Sequence, residues 1–135
     1  MKTIVVYGLA VPQGRPRAVR RGNYIGVYED KASRNWKQDI KWQAINQGLK
    51  NPIDSPIYLQ IHFFLPRPKS LPKRIIYHTR KPDLDNLVKA VKDALRGLAY
   101  RDDSQIVRME AWKGYGNPPR VEIAIMEEQT WLKVS

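Results

Sequence analysis

The sequence has no cysteine among its 135 residues. That absence excludes a disulfide framework and a thiolate metal site, and it is compatible with a reducing cytoplasm. The apolar runs are much shorter than a membrane span, and the first residues lack the basic, apolar and small-residue order of a signal peptide. We therefore expect a soluble cytoplasmic protein with no membrane partner.

Acidic residues are scarce and unevenly placed. The chain has 24 lysines and arginines against 13 acids, for a net charge of +11 and a pI near 10. No acid occurs in residues 1–28 or in residues 55–82. Such a charge suits nucleic acid, an anionic membrane surface or an acidic protein, and we favour nucleic acid.

Five of the 13 acids are concentrated between residues 83 and 103, where they form an acidic island: Asp83, Asp85, Asp93, Asp102 and Asp103. The rest of the chain has 20 basic and 8 acidic residues. A divalent cation that binds a phosphodiester explains both the acids and the basic residues around them. The working hypothesis is a metal-dependent nuclease.

The length and the 42% hydrophobic content predict one domain, residues 1–135, that can bury a core. Strand patterns occur at residues 2–8, 57–65, 105–113 and 120–126, and GYGNPP between the last two predicts a hairpin connection. One predicted helix is capped by Asp30 and runs to about Gln47; another follows the Asp-Leu-Asp sequence. The predicted fold is α/β (α+β), a mixed β-sheet packed by helices.

Two basic, proline-containing segments, residues 10–23 and 66–81, are predicted to be irregular, apart from a small hairpin within residues 20–27. We expect their cations to contact DNA phosphates, although an ordinary solvated basic surface is the alternative. The candidate DNA-binding residues are Arg15, Arg17, Arg20, Arg21, Lys69, Lys73, Arg74, Arg80 and Lys81.

Magnesium prefers oxygen ligands, commonly one or two carboxylates together with water and substrate phosphate. Asp83 and Asp85 project to the same side only if their segment is extended, so we predict that the helix begins near Asn86. Asp103 returns beside them after the helix. The alternative is helix capping by Asp83 or Asp85 and turn formation by Asp102 or Asp103.

Lys89 follows Asp85 by four residues and shares its side of the helix. Two interpretations remain open for it. It reaches a scissile phosphate, or it forms an ordinary salt bridge with Asp85 that stabilises the helix by a few tenths of a kcal/mol.

The run PDLDNLVKAVKDAL, followed by DDSQI, resembles the RusA family of Holliday-junction resolvases. The resemblance implies an α/β, homodimeric, Mg²⁺-dependent endonuclease, for which Mn²⁺ is an expected substitute. It also implies that Asp83, Asp85 and Asp103 hold the metal and that Lys89 is needed for cleavage. The sequence departs from the family in its longer insertion at residues 66–81 and in the details of its basic N-terminal segment.

The predicted function is resolution of four-way DNA junctions by paired symmetric nicks, in a bacterium or its phage. Two alternatives remain: a less selective structure-dependent DNA nuclease, and a basic DNA-binding protein whose acids only cap and turn the chain.

Overall fold

The structure is a computed structural model that describes residues 1–14, 17–22, 24–28 and 30–128. Arg15 lies outside the described residues, as do Trp131 and Leu132 near the carboxyl end. The elements are β1 (Lys2–Tyr7), β2 (Arg17–Arg21), β3 (Tyr24–Tyr28), α1 (Lys31–Asn46), β4 (Ile57–Leu65), α2 (Leu84–Leu95), a 3₁₀ turn (Asp103–Gln105), β5 (Ile106–Tyr115) and β6 (Arg120–Glu127).

The main sheet has the strand order β1-β6-β4-β5. Strand β4 is parallel to β5 and antiparallel to β6, and β6 is antiparallel to β1. Strands β1, β4 and β5 therefore run in one direction, and their carboxyl ends meet at the same edge of the sheet. This mixed sheet with helices confirms the predicted α+β fold.

Strand β4 is the centre of the core because its alternating pattern buries one whole face. Residues Ile57, Leu59, Ile61, Phe63 and Leu65 are buried, while the side chains between them are half-buried on the opposite face. Helix α2 contributes an apolar stripe to the same core, with Leu87, Val91 and Leu95 fully buried. Hydrophobic burial thus fixes how α2 is rotated about its axis.

The predicted hairpin between the last two strands is wrong. Strands β5 and β6 do not pair with each other; they lie on the two sides of β4, so the GYGNPP connection crosses the end of β4. The physical reason is that the backbone of a central strand needs hydrogen-bonding partners on both edges. Local turn residues alone do not reveal that a third strand lies between.

Two other boundaries differ from prediction. Residues Arg17–Arg21 form strand β2, paired with β3 in a separate two-stranded sheet, where the sequence predicted mostly irregular chain. Helix α1 ends at Asn46, one residue before the predicted end, and Leu49 beyond it is buried in the core. The start of α2 also differs and is described with the site.

Helix α1 covers the edge strand β1 through two glutamine side chains. Asp30 caps the helix as predicted, accepting a hydrogen bond from the Ser33 N–H. The Gln43 amide then donates to the Tyr7 carbonyl and accepts from its N–H, both at 2.8 Å. Gln47 makes the same two-way contact with Val5. These bonds satisfy backbone groups on the open edge of β1.

Within the described ranges, no helix is long and apolar enough to cross a membrane.

The glutamine contacts generate a stability prediction. Gln43→Ala should lower the free energy of unfolding by about 1 kcal/mol, because it removes two hydrogen bonds from the edge of β1. Gln38→Ala is the matched control, since Gln38 is exposed on the same helix. Urea unfolding of both variants measures the difference. Equal free energies of unfolding for the two variants would show that the Gln43 contact does not stabilise the fold.

Candidate active site

Helix α2 begins at Leu84, two residues earlier than predicted, so Asp83 occupies the N-cap position. Its carboxylate makes no capping hydrogen bond. Instead, both of its oxygens lie 2.9 Å from the Lys81 Nζ, and the side chain is 48% exposed. Asp83 is therefore paired with an exposed lysine rather than used to cap the helix.

Asp85 lies in the first turn of α2 and is exposed. The expectation that Asp83 and Asp85 project together from an extended segment is wrong, because Asp85 already has helical geometry. Its Oδ1 accepts a hydrogen bond from the N–H of Asn86 at 3.0 Å. The acid thus points away from the apolar stripe, on the solvent side of the helix.

Asp102 has a structural role at the 3₁₀ turn. Its side chain accepts from the Ser104 N–H at 3.0 Å, while Gln105 accepts from the Asp102 N–H at 2.9 Å. Hydrogen bonds from the Ser104 side chain and backbone hold the pKa of Asp102 below its ordinary value. The turn-forming interpretation is confirmed for Asp102.

Asp103 is less exposed, at 31%, and its Oδ1 is buried without a hydrogen-bond partner among the described residues. Its Oδ2 lies 4.0 Å from the Arg96 Nη1. The buried Tyr100 hydroxyl donates to the Lys92 carbonyl at 2.9 Å. Burial raises the pKa of Tyr100 above its ordinary value, and the negative charge of Asp103 raises that pKa further.

Asp85, Lys89, Asp93 and Asp103 line one open cavity of about 630 Å³, which we call the acidic cavity. Its remaining wall includes two side chains of β5, Met109 and Ala111. Lys89 is exposed and makes no ion pair with any described residue, so the predicted Asp85–Lys89 salt bridge does not form. Two of the three candidate ligands and the candidate lysine thus face the same space.

Asp83 faces a second cavity of about 610 Å³, lined mainly by apolar side chains, which we call the apolar cavity. Asn86 borders both cavities, so they meet across the first turn of α2. Asp83 lies beside the acidic cavity and does not line it. The structure therefore brings Asp85 and Asp103 to one cavity and leaves Asp83 at its neighbour.

The acidic cavity suits a hard divalent cation by the type of its donors. Carboxylate oxygens are the preferred protein ligands of Mg²⁺, and the buried Oδ1 of Asp103 is one such oxygen that receives no direct hydrogen bond from the described residues. Across residues 1–14, 17–22, 24–28 and 30–128, no three acidic or histidine side chains are grouped closely enough to hold an ion. Magnesium commonly uses only one or two carboxylates, with water and substrate phosphate completing its shell.

Sequence reasoning missed Asp93 as a residue of the acidic cavity, although its position two helical turns after Asp85 places it on the same side of α2. It also missed two anchoring side chains. Gln105 accepts from the N–H groups of Arg101 and Asp102 and donates to the carbonyls of Ile53 and Ser55. All four hydrogen-bonding positions of the amide are used, which ties the Asp103 turn to the neighbouring chain.

Lys113 anchors the other acid-bearing segment. It lies near the carboxyl end of β5, and its Nζ donates to the Arg80 carbonyl at 2.7 Å and to the Pro82 carbonyl at 2.6 Å. Arg80 and Pro82 lie three residues and one residue before Asp83 in the chain. The lysine thereby holds the backbone from which Asp83 projects, and no local pattern in the sequence signals such a contact.

The candidate DNA-binding residues occupy several surfaces. In the segment before α2, Lys69, Lys73, Arg74, Arg80 and Lys81 are exposed, and of these Lys81 is paired with Asp83. Arg20 is exposed on β2. Arg17 and Arg21 lie on the same strand, with side chains outside the described set. The exposure of these side chains is compatible with DNA contact, which stays a prediction.

His62, on strand β4, has a packing role in the sheet. Its ring stacks on Trp112, with centroids 4.8 Å apart.

Comparison with known proteins places these residues in a family. The family model described as Endodeoxyribonuclease RusA matches residues 8–126, a range that contains all four candidate catalytic residues. An uncharacterised protein of Bacillus subtilis strain 168, YqaN, is 37% identical over 132 residues, covering 90% of this chain and 93% of its own length. A protein of Lactococcus phage r1t named crossover junction endodeoxyribonuclease rusA is 41% identical over 103 residues, covering 74% and 76%. The chain belongs to the RusA family of endodeoxyribonucleases.

Proposed function

We propose that this endonuclease resolves four-way DNA junctions by paired symmetric nicks in a reaction that needs Mg²⁺, with Mn²⁺ as a substitute. The observation that carries the proposal is the acidic cavity, where Asp85, Asp103 and Lys89 face one space. The printed name of the phage relative, a crossover junction endodeoxyribonuclease, supports the same substrate. Each protomer would be one domain, residues 1–135, and the protein would act in the bacterial cytoplasm, whether a host or a phage encodes it.

Asp85 and Asp103 would hold the cation, and Asp83 would join them from the edge of the apolar cavity. A divalent cation bound there activates water for attack on the phosphodiester and neutralises charge on the phosphate oxygens. The position of Asp103 supports this ligand set: its carboxylate lines the acidic cavity, and its Oδ1 makes no direct hydrogen bond with the described residues, although the Tyr100 hydroxyl interacts with the same carboxylate.

Lys89 would stabilise the additional negative charge that develops on the phosphate during attack. Its freedom from described ion-pair partners supports this role, since a lysine already neutralised by Asp85 would have less charge to offer. Lys92 and Arg96 add positive charge on the same side of α2 and would keep the DNA backbone close to the acids.

A homodimer is the proposed assembly, because two active sites related by a twofold axis match two symmetric cuts. The outward side of α1 supports an interface of this kind. Trp42 and Ile45 are 64% and 51% exposed on the side of the helix opposite its buried residues. Large apolar side chains grouped on a surface commonly mark interaction sites.

The basic test is cleavage of a synthetic four-way junction in Mg²⁺, with and without a chelator. Matched nicks in opposing strands support resolution. Equal cutting of linear duplex would indicate the less selective nuclease, and junction binding without cutting would indicate a DNA-binding protein.

The carboxylates give the first functional prediction. Asp83→Asn, Asp85→Asn and Asp103→Asn should each lower the cleavage rate by at least about a hundredfold, because an amide is a poorer ligand for a hard cation. Junction affinity should be unchanged or higher, since removing negative charge does not weaken phosphate contact. Asp39→Asn, an exposed acid on α1, is the matched control. Normal cleavage by any two of the three variants would contradict the site.

The second functional prediction concerns Lys89. Lys89→Ala should keep the fold and metal binding but slow single-turnover cleavage about a hundredfold, equivalent to roughly 3 kcal/mol of transition-state stabilisation. Lys89→Arg should restore activity only in part, because a planar guanidinium does not reproduce a compact ammonium. Saturating enzyme and Mg²⁺ separate the chemical step from binding. A near-normal rate for Lys89→Ala would remove this residue from the mechanism.

The third functional prediction concerns Lys113. Lys113→Met should release the backbone before Asp83, raise the Mg²⁺ concentration needed for half-maximal cleavage and lower the rate by about tenfold, as for other residues that orient metal ligands. Lys113→Arg keeps two donors and should recover part of the loss. Lys50→Met, an exposed lysine outside the candidate DNA-binding set, is the control. An unchanged Mg²⁺ requirement would mean that Lys113 stabilises the fold alone.

A further inference from the structure

We propose that the apolar cavity receives an unpaired nucleobase of the DNA strand that is cleaved, next to the scissile phosphate. This inference rests on the proposed nuclease function and adds to it a binding site for a base. A base held there would make cleavage depend on the local opening of the duplex that occurs at a branch point.

The position of the cavity is the first argument. It lies beyond the carboxyl ends of β1 and β4, with Leu9, Val11 and Pro66 on its wall, and it reaches Asp83 and Asn86 at the start of α2. In sheets covered by helices, ligands commonly bind outside the carboxyl ends of the strands. Asn86 also borders the acidic cavity, so a nucleotide whose phosphate lies at the acids places a neighbouring base beside the apolar cavity.

The chemistry of the walls is the second argument. The lining is mostly apolar and includes three prolines, Pro12, Pro66 and Pro82. Such walls do not solvate a phosphate or a sugar hydroxyl, whereas a nucleobase has flat apolar faces that pack against them. The volume of about 610 Å³ is within the range of small-molecule sites.

The distribution of charge is the third argument. Positive groups lie at the border of the cavity, where Lys81 is 84% exposed and Arg80 is also exposed. His78 on the wall has a pKa below its ordinary value, because of burial and then the nearby charge of Lys113, so at neutral pH its imidazole adds no charge inside. The charged groups of the lining, Lys81 and Asp83, are paired with each other at one side, and the other walls are apolar or neutral. This arrangement matches a nucleotide whose phosphates stay in solvent while its base packs on the apolar walls.

A base in this cavity cannot remain in a base pair, because pairing and stacking keep it inside the duplex. Extruding it from intact duplex is unfavourable, and less so where the base is already unpaired. The cavity would thereby favour branched DNA over linear duplex without reading a sequence through hydrogen bonds.

The test is a cycle that combines protein variants with DNA lacking one base. Val11→Phe reduces the cavity from its wall, and Leu9→Ala removes an exposed wall side chain with little risk to the fold. Tyr7→Ala is the matched control, being exposed on the same chain segment but outside the lining. Each protein is assayed on an intact junction and on junctions in which an abasic nucleotide replaces each position flanking the mapped cut.

We expect one abasic position to slow wild-type cleavage about tenfold, and Leu9→Ala and Val11→Phe to slow cleavage of the intact junction similarly. Combining variant and abasic site should add little further loss, since both remove one contact. Tyr7→Ala should behave as wild type. Independent, multiplying losses, or no abasic effect at all, would overturn the proposal; thermal unfolding confirms that each variant is folded.

A binding experiment separates this proposal from the proposed function. The fluorescent base 2-aminopurine is placed in turn at each position around the branch point, and the junction is bound by the Asp103→Asn protein. One position should brighten as its base leaves the stack, and Val11→Phe in the same background should abolish the change. If wild type cuts no junction, the nuclease proposal fails while this signal still decides the cavity. No brightening at any position would refute the base site.

Discussion

The burial of one apolar stripe of α2 against β4 is the interaction on which the site depends. Leu87, Val91 and Leu95 are fully buried, and that contact determines the rotation of the helix. With the stripe buried, Asp85, Lys89 and Asp93 necessarily lie on the other side and border the acidic cavity. A rotation by one residue, about 100°, would bury a charge and expose leucine, so the hydrophobic effect orients the chemistry.

The turns at the two ends of the site need separate support, because no helix or strand holds them. Gln105 saturates its amide to tie the Asp103 turn to the chain at Ile53 and Ser55, and Lys113 binds the carbonyls before Asp83. Lys113 belongs to β5, and Gln105 is the last residue of the turn that leads directly into it, so the two anchors lie near opposite ends of the same edge strand. Edge strands commonly carry charged side chains, and here one such charge bonds to backbone.

The two cavities divide the requirements of strand cleavage between them. In the proposed mechanism, the acidic cavity offers carboxylates and a lysine to a metal-bound phosphate, and the apolar cavity beside it offers mostly apolar walls to a base. Asp83, 48% exposed and paired with Lys81, lies between the two functions. Its lysine can exchange one anionic partner for another, since a surface ion pair contributes little free energy.

The sequence by itself determined the elements with strong periodicity and identified the acids that are candidates for the active site. Strand β4 and helices α1 and α2 were predicted because burial imposes periods of two and 3.6 residues on a chain. Asp85, Asp103 and Lys89 were identified by local spacing and by resemblance to a family. Tertiary structure decided the rest: that β4 separates β5 from β6, that Asp83 faces a different cavity from Asp85, and that Asp93, Gln105 and Lys113 support the site. These depend on contacts between residues far apart in the chain, for which local periodicity holds no information.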